Sequence, residues 1–573
     1  MHREVHEQAR DKVEVAGVGP QERAVGAVRE LLAEEDPAVI GPGRRAGHRA
    51  EAPPGERRRS QRDEDGCERP DDRAATGTAG RGALGGGVRV SGVLRVRVHR
   101  GGVLVHRGEN LSEISTSSYI DAPLCPRRTL HEVREDGRVT DRTVSRRALA
   151  RRYLSAWIGF SAGGRFSQAL ATAVLLFAFG QPAVHAMVGT AGSWAALATL
   201  VVLAGLSLLG QRYRIEWHGV LPLSLLAFVG FCALSVLWSQ YSWVALRGFA
   251  STVCFVGLGL YLALGRDLVQ VIRAAGDAFR ILLVVALGLE VLSGLVLDVP
   301  FPAFGIRGDI AYGGPIQGIG GTRNFMGFVA AVALVTFVVE FLTRSVTTWR
   351  AVASTALAVI ALMLVQSPIT GIAMIALAVT ALALWSLRHA RPATRPVVNA
   401  VLGAVVLGMV TLGLALRHRV LAEIGAAGGT ATRLGLWEQI RVLGAQFPMQ
   451  GWGWVGTWPS EAVFPFTTLV DPAGARFTSG LNAFVDAYLQ IGFAGTLLLA
   501  VAAGLAFARA WVTATTFPGV AYVWPAAVLV LLGVTSTAES YLLHGAGLML
   551  FTTVIVVAAR RRSWRRHLPR VPS

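Results

Sequence analysis

Apolar runs close to the length of a membrane-spanning helix fill the chain from about residue 165 to residue 560. The sequence is 52% hydrophobic and only 16% charged, and a helix needs about 20 apolar residues to cross the hydrocarbon core of a bilayer. The runs therefore predict an all-α, polytopic membrane domain over residues 165–560. They place about twelve spans at 166–187, 192–210, 219–238, 244–264, 278–299, 324–342, 350–366, 369–387, 397–416, 483–508, 519–535 and 540–559. The short seventh and eighth runs form either a tight hairpin or one broken helix.

Arginine residues concentrate in every second connection between the predicted spans. Basic clusters precede the first span, follow the second, fourth, sixth and eighth spans, and close the chain. Lysine and arginine are enriched in cytoplasmic loops, so this alternation predicts that both termini, including the basic tail 561–573, are cytoplasmic. The connection 300–323 and the large loop 417–482 then face outward. Both outward loops contain arginine residues, contrary to the enrichment of arginine in cytoplasmic loops. Arginine on the outer side favours an anionic substrate there.

Residues 1–150 differ in composition from everything that follows. They are dense in Arg, Glu, Asp, Gly and Pro, and they include Lys12, the only lysine of the chain. A segment with low hydrophobicity and dense charge cannot bury enough apolar surface to offset its chain entropy. We interpret it as a disordered cytoplasmic extension or as a non-native upstream extension of the reading frame. A nucleic-acid-binding tail is the less favoured alternative, and no nucleic-acid partner is expected.

Cysteines and common cofactor motifs give no sign of redox or nucleotide chemistry. Cys67 and Cys125 lie in the N-terminal segment, and Cys232 and Cys254 lie within predicted spans. The outward loops therefore offer no disulfide and no cysteine-based metal site. No CxxC, HExxH or P-loop motif occurs, and no GxGxxG in its strand–turn–helix context. We expect no metal and no bound cofactor.

Polar residues mark the outer ends of three predicted spans. A glycine-rich stretch ends in Arg323 and Asn324, where the sixth span begins, and free N–H groups with the helix dipole favour an anion there. The alternative is an interfacial arginine that reaches lipid headgroups. Ser367 and Thr370, at the turn between the seventh and eighth spans, either bond a pyrophosphate or sugar or cap a helix start.

The outer loop begins with an amphipathic pattern. Leu436, Trp437, Ile440 and Leu443 follow helical spacing, which predicts a helix along the membrane face that starts at Arg433. The guanidinium of Arg433 is suited to bidentate phosphate binding.

Further aromatic and basic residues follow in the same loop. Arg441, Trp452, Trp454 and Trp458 are either interfacial anchors, since tryptophan favours the headgroup zone, or platforms that stack on sugar rings.

In their order and spacing these elements resemble the O-antigen ligase and O-antigen polymerase superfamily of bacterial envelope polysaccharide enzymes. Members have a similar number of spans, cytoplasmic termini and one large outer loop between late spans. The resemblance covers about residues 165–560. The matching elements are Gly321, Thr322, Arg323 and Asn324 with Gly327, Ser367 with Thr370 and Gly371, Arg433 with Trp437, Pro448 with Gly451, Trp452 and Gly453, and Asn482 with Gly492 and Gly495.

The resemblance implies metal-independent glycosyl transfer at the outer face of the cytoplasmic membrane. A glycan linked to undecaprenyl diphosphate is the donor, a sugar hydroxyl of a second glycan is the acceptor, and no nucleotide is required. Arg323 and Arg433 are expected to hold the leaving diphosphate and stabilise its growing charge, with Asn482 as the third catalytic position. The expected substrate-binding residues are Asn324, Ser367, Thr370, Trp437, Trp452 and Arg441.

One position departs from the ligase pattern. Ligases carry a histidine directly before the Asn of the last motif, as the proposed base for the acceptor hydroxyl, whereas this chain has Leu481. Leucine cannot accept a proton, so another residue serves, the chain is a polymerase-type member with different acceptor chemistry, or it is inactive. The outward candidates for a replacement base are Asp486, Glu461, Glu539, His418 and His544.

Two other classes of protein compete with an enzyme. Transporters of the major facilitator type have two six-helix halves joined by a long cytoplasmic loop, whereas the long loop here follows the ninth span and faces outward. A transporter or flippase also needs ionisable groups inside the membrane, and only Glu290 lies well inside a predicted span, with Glu340 near a cytoplasmic end. An envelope scaffold would not need arginines at the outward motif positions.

Overall fold

The computed structural model describes residues 159–160, 163–213, 215, 222–391, 393–416, 419 and 427–561. They belong to one compact unit, Val133–Ser573. The predictions for the extension 1–150, for nearly all of the tail 561–573, for the first residues of the third span and for His418 lie outside the described residues.

The regular secondary structure of the described residues is helical, with only the isolated bridges Phe301–Ile306 and Val470–Arg476 between extended segments, which confirms the all-α prediction. In chain order the helices are α1 Gly164–Phe179, α2 Gln181–Gly210, α3 Leu223–Leu234, α4 Ser242–Gly265, α5 Leu268–Val291, α6 Arg323–Leu342, α7 Thr348–Val365, α8 Pro368–His389, α9 Arg395–Ala415, α10 Ala427–Gly444, α11 Ala483–Thr516, α12 Val523–Thr535 and α13 Gly545–Arg561.

Eight helices of the described part are long and apolar enough to cross a membrane, and four shorter apolar helices accompany them. Helix α9 is the clearest case, because none of its residues is buried. Val401 and Leu407 on it are 56% and 64% exposed. A continuous exposed apolar surface of this kind is rare on a soluble monomer, so α9 is suited to a lipid environment. The protein is a helical membrane protein by these criteria.

The predicted boundaries of the first two spans are wrong. The first helix ends at Phe179, and α2 starts at Gln181 after Gly180. Helix α2 is itself interrupted at Gly189, whose φ of 66° is in the left-handed region. Glycine adopts this conformation without the steric cost of a Cβ atom, and the interruption falls in the gap 188–191 that the prediction left between its first two spans.

The predicted start of the fifth span is also wrong, because α5 begins ten residues earlier, at Leu268. Arg273 and Asp277 lie within this early part of α5, and charged residues of this kind are typical of a loop between spans. In the fold Arg280 pairs with Asp277 at 3.1 Å and with the buried Glu340 of α6, and it donates to Ser354 at 2.7 Å. The charge of Asp277 is therefore paired with Arg280 and, at 2.6 Å, with Arg350 of α7, and the helix continues through it.

The remaining span predictions agree better with the fold. The seventh and eighth runs form a tight hairpin, in which α7 ends at Val365, Gln366 is left-handed and α8 begins at Pro368. Helix α11 continues to Thr516, beyond the predicted end at residue 508.

The centre of the bundle is formed by helices whose small residues allow close packing. Helix α13 packs along α4, and α6 packs between α5 and α7. A Cβ atom on Gly259 of α4 would lie 2.6 Å from the Met549 carbonyl oxygen of α13, so only glycine fits at this crossing. Small residues that let helix backbones approach closely are typical of membrane helix interfaces.

The region between α10 and α11 has its own hydrophobic cluster. Leu436, Ile440 and Leu443 of α10 are buried against Trp452 and Phe466 of the following segment. The helical spacing of these apolar residues and the burial of their face are therefore confirmed, whereas the location of the helix along the membrane face stays a prediction. Its apolar face packs on the segment 445–482 and on α11.

Candidate functional site

The start of α6 exposes one arginine. Thr322 caps this helix by accepting a hydrogen bond from Phe325 N at 3.2 Å. Arg323 is the first helical residue and is exposed, as predicted. Within the described part of the chain no acidic side chain pairs with its guanidinium. Its positive charge is therefore available at a helix N-terminus, where an anion is favoured.

Asn324 connects α6 to α8 and to the segment after α12. Ser367 caps α8, accepting from Thr370 N at 3.3 Å, and its hydroxyl donates to Asn324 Oδ1 at 2.9 Å. The Asn324 amide in turn donates to Glu539 Oε1 at 2.6 Å. Ser367 is thus both a helix cap and an orienting partner that fixes which way the Asn324 amide faces.

Thr370 is buried in the packing of α6 against α8. It is 4% exposed, and a Cβ atom on Gly327 would lie 2.1 Å from its Oγ1. Its contacts are those of a packing residue, and they explain the glycine at position 327. This was predicted as a substrate-binding side chain, but the structure does not bring it to the surface with Arg323.

Arg433 is fixed by three acceptors. Its Nη2 donates to Glu539 Oε1 at 3.0 Å, its Nε to the Ala538 carbonyl at 3.1 Å and its Nη1 to the Gly429 carbonyl at 3.0 Å. The pair with Glu539 is mostly buried, with side-chain exposures of 17% and 10%. The prediction that Arg433 starts its helix is wrong. Helix α10 begins at Ala427, in a glycine-containing turn whose composition hid the helix.

Asn482 is the N-cap of α11. Its Oδ1 accepts from Phe484 N at 2.9 Å and Val485 N at 3.2 Å, and its Nδ2 donates to the Thr537 carbonyl at 3.0 Å. Leu481, directly before it, has a φ of 47°. This left-handed conformation is uncommon for residues other than glycine, and asparagine, aspartate and histidine tolerate it best.

The segment 536–544 between α12 and α13 joins these motif positions. Ala538 and Glu539 accept from Arg433, Glu539 accepts from Asn324, and Thr537 accepts from Asn482. We call residues 536–544 the hub segment. Sequence reasoning named Glu539 only as a possible base and did not find this connecting role. The available signal was a polar run between two apolar helices on the predicted outer side.

Burial raises the pKa values of two residues of the hub segment, Glu539 and Tyr541. It raises the pKa of the Glu539 carboxyl above its usual value, against the opposing charge of Arg433 and the hydrogen bonds from Asn324 and Arg433. Burial also raises the pKa of Tyr541 well above its usual value; the Glu539 charge acts in the same direction, and the Thr322 hydroxyl and the charge of Arg433 oppose it. Tyr541, which sequence reasoning missed, packs edge-on against Phe325 at 5.2 Å between ring centroids.

Gly451 of the loop motif packs closely against the backbone of α11 next to Gly492. Helix α11 breaks at Gly492, with a φ of 64°, which frees carbonyls that would otherwise bond within the helix. Trp452 N donates to the Leu489 carbonyl at 3.0 Å, and Gly453 N donates to the Gln490 carbonyl at 2.7 Å. A Cβ atom on Gly451 would lie 2.5 Å from this backbone. The two motifs form one structural joint between the loop and α11.

The tryptophans of the loop belong to its interior. Trp452 is 6% exposed and donates to the Leu443 carbonyl at 3.1 Å. Trp454, which is fully buried, donates to Thr252 at 2.9 Å. For these two residues both predicted roles, lipid anchoring and sugar stacking, are wrong, because neither ring reaches the surface. Trp437 is only partly buried and donates to the Gly480 carbonyl at 3.0 Å.

Arg441 lies apart from the other site residues. It is exposed and pairs with Glu438 one turn earlier at 2.5 Å. The two side chains are 69% and 61% exposed, so the pair is a surface contact of α10.

The candidate bases differ in how far their lone pairs are already used. Asp486 is fully buried and accepts from Trp458 Nε1 at 2.8 Å, Gln490 Nε2 at 2.8 Å and Gly480 N at 3.1 Å. Glu461 is exposed and pairs with Arg247 at 2.8 Å. Both carboxylates are thus occupied, as is that of Glu539.

His544 is the remaining described candidate. It ends the hub segment, is partly buried and makes no side-chain hydrogen bond to the described residues. Burial lowers its pKa, and the charge of Asp486 opposes this effect. A lowered pKa keeps the imidazole neutral near pH 7, which is the form that accepts a proton.

Comparison with models of known protein families gives no match, and comparison with curated proteins gives none either. The family resemblance seen in the sequence therefore stays a hypothesis.

Proposed function

We propose that this protein is a membrane glycosyltransferase that transfers a glycan from a polyprenyl diphosphate to a sugar hydroxyl on the outer face of the cytoplasmic membrane. It acts as a polymerase or ligase of cell-envelope or exported polysaccharide. The proposal rests on one observation above all. Arg433 and Asn324, which are 109 residues apart in sequence, bind the same oxygen of Glu539, and the exposed Arg323 adjoins Asn324.

This arrangement is suited to a leaving diphosphate. When the acceptor oxygen attacks the anomeric carbon, the bond from that carbon to the diphosphate oxygen breaks and negative charge grows on the diphosphate. Fixed positive groups aimed at developing charge are worth more in a partly water-excluded site than in water. Arg323 supplies an uncompensated charge, and Arg433 supplies a guanidinium already held in place by three acceptors.

The acceptor hydroxyl must lose its proton in the same reaction. Leu481 cannot take it, and Asp486, Glu461 and Glu539 are engaged with other groups. We assign the proton to His544, whose neutral imidazole has no described hydrogen-bond partner. A positioned base contributes typically about 10²–10⁴-fold to the rate.

In the membrane we propose that the eight long helices and the four shorter apolar helices make twelve spans, with both termini cytoplasmic and 417–482 outside. The shared side of the motif residues supports this, since Arg323, Ser367, Arg433 and Asn482 all bond to, or adjoin residues that bond to, the same cluster. A cysteine at Ser460 in a background without native cysteines should react with an impermeant thiol reagent on intact cells. Labelling only after lysis would invert this topology.

The acids inside the bundle do not favour a transporter. Glu290 Oε1 accepts from Gln317 N at 3.0 Å and Gly318 N at 2.7 Å, so it anchors the glycine-rich loop before α6. Glu340 is held by Arg280. Both carboxylates therefore have fixed structural partners, whereas a proton or ion relay needs groups that exchange partners.

Deletion of the gene distinguishes a ligase, a polymerase and a protein that does not transfer glycans. Cells that lose the protein should lose or shorten a surface glycan and accumulate a lipid-linked donor. Long donor chains left unattached would identify a ligase, and single repeat units would identify a polymerase. Unchanged surface glycan with no accumulated donor would contradict glycosyl transfer.

Substitution of Arg323 tests its assignment to the diphosphate most directly. Arg323→Ala should abolish transfer while the thermal midpoint and membrane abundance stay unchanged, since the side chain has no described ion-pair partner. Arg323→Lys should restore only part of the activity, because an ammonium keeps the charge but lacks the bidentate fork. Arg307→Ala is the matched control, an exposed arginine in the same predicted outer loop. Full activity of Arg323→Ala would refute the assignment.

A further inference from the structure

A cavity of about 440 Å³ opens between α2, α4 and residues 455–461. None of the predicted catalytic residues Arg323, Arg433 and Asn482 lines it, whereas Trp458 and Glu461 do. Its volume lies within the range of about 300–1,000 Å³ that small-molecule sites occupy. Gln181, His185, Thr190, Ser251 and Thr457 contribute polar side chains to its wall.

The break in α2 builds one wall of this cavity. Gln181 and His185 come from the part of α2 before Gly189, and Thr190 and Trp194 come from the part after it. Ser193 spans the break, donating to the Gly189 carbonyl at 2.8 Å. Gly189 has a left-handed backbone conformation, which glycine adopts without steric cost. The shape of the wall therefore depends on a glycine at this position.

The chemistry of the wall favours a ligand rich in hydroxyl groups. Hydroxyl and amide side chains line the cavity together with Trp194 and Trp458, and an aromatic wall with a few polar groups is suited to sugar rings. The charged residues at the rim, Arg247 and Glu461, form a two-bond pair at 2.8 and 3.0 Å and cancel each other. With no net charge from that pair and a polar wall, the cavity is poorly suited to a diphosphate or to a lipid chain.

Residues in and next to the cavity wall lie close to chain neighbours of Arg323 and His544. A Cβ atom on Gly321, two residues before Arg323, would lie 3.6 Å from Pro182 at the start of α2. A Cβ atom on Gly545, next to His544, would lie 3.2 Å from Gln181 Oε1. Trp458 of the cavity donates to Asp486, whose charge acts on His544.

We propose that this cavity is a glycan subsite that binds the sugar rings next to the reacting bond. The inference rests on the proposed function and extends it, by assigning recognition of the glycan to α2, α4 and residues 455–461. Donor and acceptor glycan share this chemistry, and kinetics separates them.

The test fills the cavity with one large side chain. Thr190→Trp places an indole in the wall, and Thr199→Trp, on an exposed position of the same helix, is the matched control. The probe is the glycan released by mild acid from the lipid extract of the deletion strain, titrated calorimetrically into purified full-length protein. Thr190→Trp should weaken binding by about tenfold or more, which is at least ~1.4 kcal/mol, and Thr199→Trp should bind like wild type.

Kinetics with the same variants identify the glycan. A raised KM for the acceptor alone assigns the cavity to the acceptor, and a raised KM for the lipid-linked donor assigns it to the donor. Equal binding and equal kinetics for the two variants would overturn the proposal. Binding that Thr190→Trp abolishes, in cells whose surface glycan does not depend on the protein, would keep the subsite and overturn the transfer reaction.

A second variant pair controls for a purely structural effect. Arg247→Ala removes the rim pair, and the charge swap Arg247→Glu with Glu461→Arg restores a pair of opposite direction. Exposed pairs stabilise little, so neither variant should lower the thermal midpoint. If the rim recognises sugar hydroxyls, the swap should stay impaired in glycan binding. Wild-type binding by the swapped protein, together with wild-type binding by Thr190→Trp, would leave the cavity without a role.

Discussion

Replacing Glu539 by alanine should destabilise the protein strongly, because it leaves Arg433 charged and mostly buried. The side chains of this pair are 17% and 10% exposed, and removing one partner of a buried pair costs about 3–5 kcal/mol. Arg433 keeps its bonds to the Ala538 and Gly429 carbonyls, which places the loss near the lower end of that range. Asn324 also loses its acceptor, and an unsatisfied buried donor adds about 1–3 kcal/mol.

The double variant Arg433→Ala with Glu539→Ala should be less destabilised than the sum of the two single variants. Residues in one hydrogen-bonded network show coupling energies of about 0.5–3 kcal/mol. Glu461→Ala is the matched control. It breaks the pair with Arg247, whose side chains are 40% and 51% exposed, and exposed pairs are worth only about 0.2–1 kcal/mol.

The single variant Arg433→Ala should respond to pH in a defined direction. Burial already raises the pKa of Glu539, and loss of Arg433 removes an opposing charge and raises that pKa further. A carboxyl whose pKa is raised in the folded state holds its proton more tightly there, so its stabilising effect is lost as pH rises through the folded pKa. The deficit of Arg433→Ala relative to wild type should therefore be larger at pH 8 than at pH 5.

Thermal unfolding of the purified protein in detergent, followed by tryptophan fluorescence, measures these differences. The expected order of midpoints is wild type, then Glu461→Ala close to it, then the double variant, with Glu539→Ala lowest. A Glu539→Ala midpoint equal to that of Glu461→Ala would refute the reasoning. Strictly additive effects in the double variant would show that the pair is not coupled.

Two further predictions concern neighbouring positions. Leu481 has a φ of 47°, and replacing it by asparagine should relieve about 1 kcal/mol of backbone strain. Leu481→Asn should therefore raise the thermal midpoint, and an unchanged or lower midpoint would contradict the strain. His544→Gln should slow transfer and remove the acid limb of its pH profile, because the lowered pKa keeps His544 neutral down to a pH below 6.5. A histidine with a lowered pKa in the folded state also lowers the free energy of unfolding as pH falls below 6.5. The wild-type midpoint should therefore fall more between pH 7 and pH 5 than that of His544→Gln. Identical pH profiles of activity for the two proteins would exclude His544 as the base.

Hydrophobic run length predicted the helices well, but not where charges allow a helix to continue. Helix α5 starts ten residues before the predicted span, and Asp277 in this part is paired with Arg350 of α7. That partner is 73 residues away in sequence, and no local pattern reports it. The same limit applies to the end of α1 at Phe179, which lies inside the predicted first span 166–187.

The site was predicted as a set of residues but not as an arrangement. Arg323, Arg433 and Asn482 were named from their motifs, and they do adjoin or bond one cluster. The hub segment that connects them lies 106 residues from Arg433 and 215 from Asn324 at Glu539, a separation that sequence spacing cannot bridge. The loop tryptophans were misjudged for a related reason. An indole is as suited to a small hydrophobic core as to a membrane surface, and Trp452 and Trp454 are buried in the fold.

The charge balance of the site implies that its two arginines are not equivalent. Arg433 uses all three of its nitrogens on acceptors within the protein, so its charge is largely compensated before any substrate arrives. Arg323 is exposed and has no described acid beside it. A diphosphate that binds to both must compete with Glu539 for Arg433, and protonation of Glu539, favoured by its raised pKa, would remove that competition. We infer that Arg323 carries most of the attraction for the diphosphate and that Arg433 mainly sets its orientation. Arg323→Ala should therefore weaken binding of the lipid-linked donor, measured as its Kd, more than Arg433→Lys does, and the reverse order would exclude this division of roles.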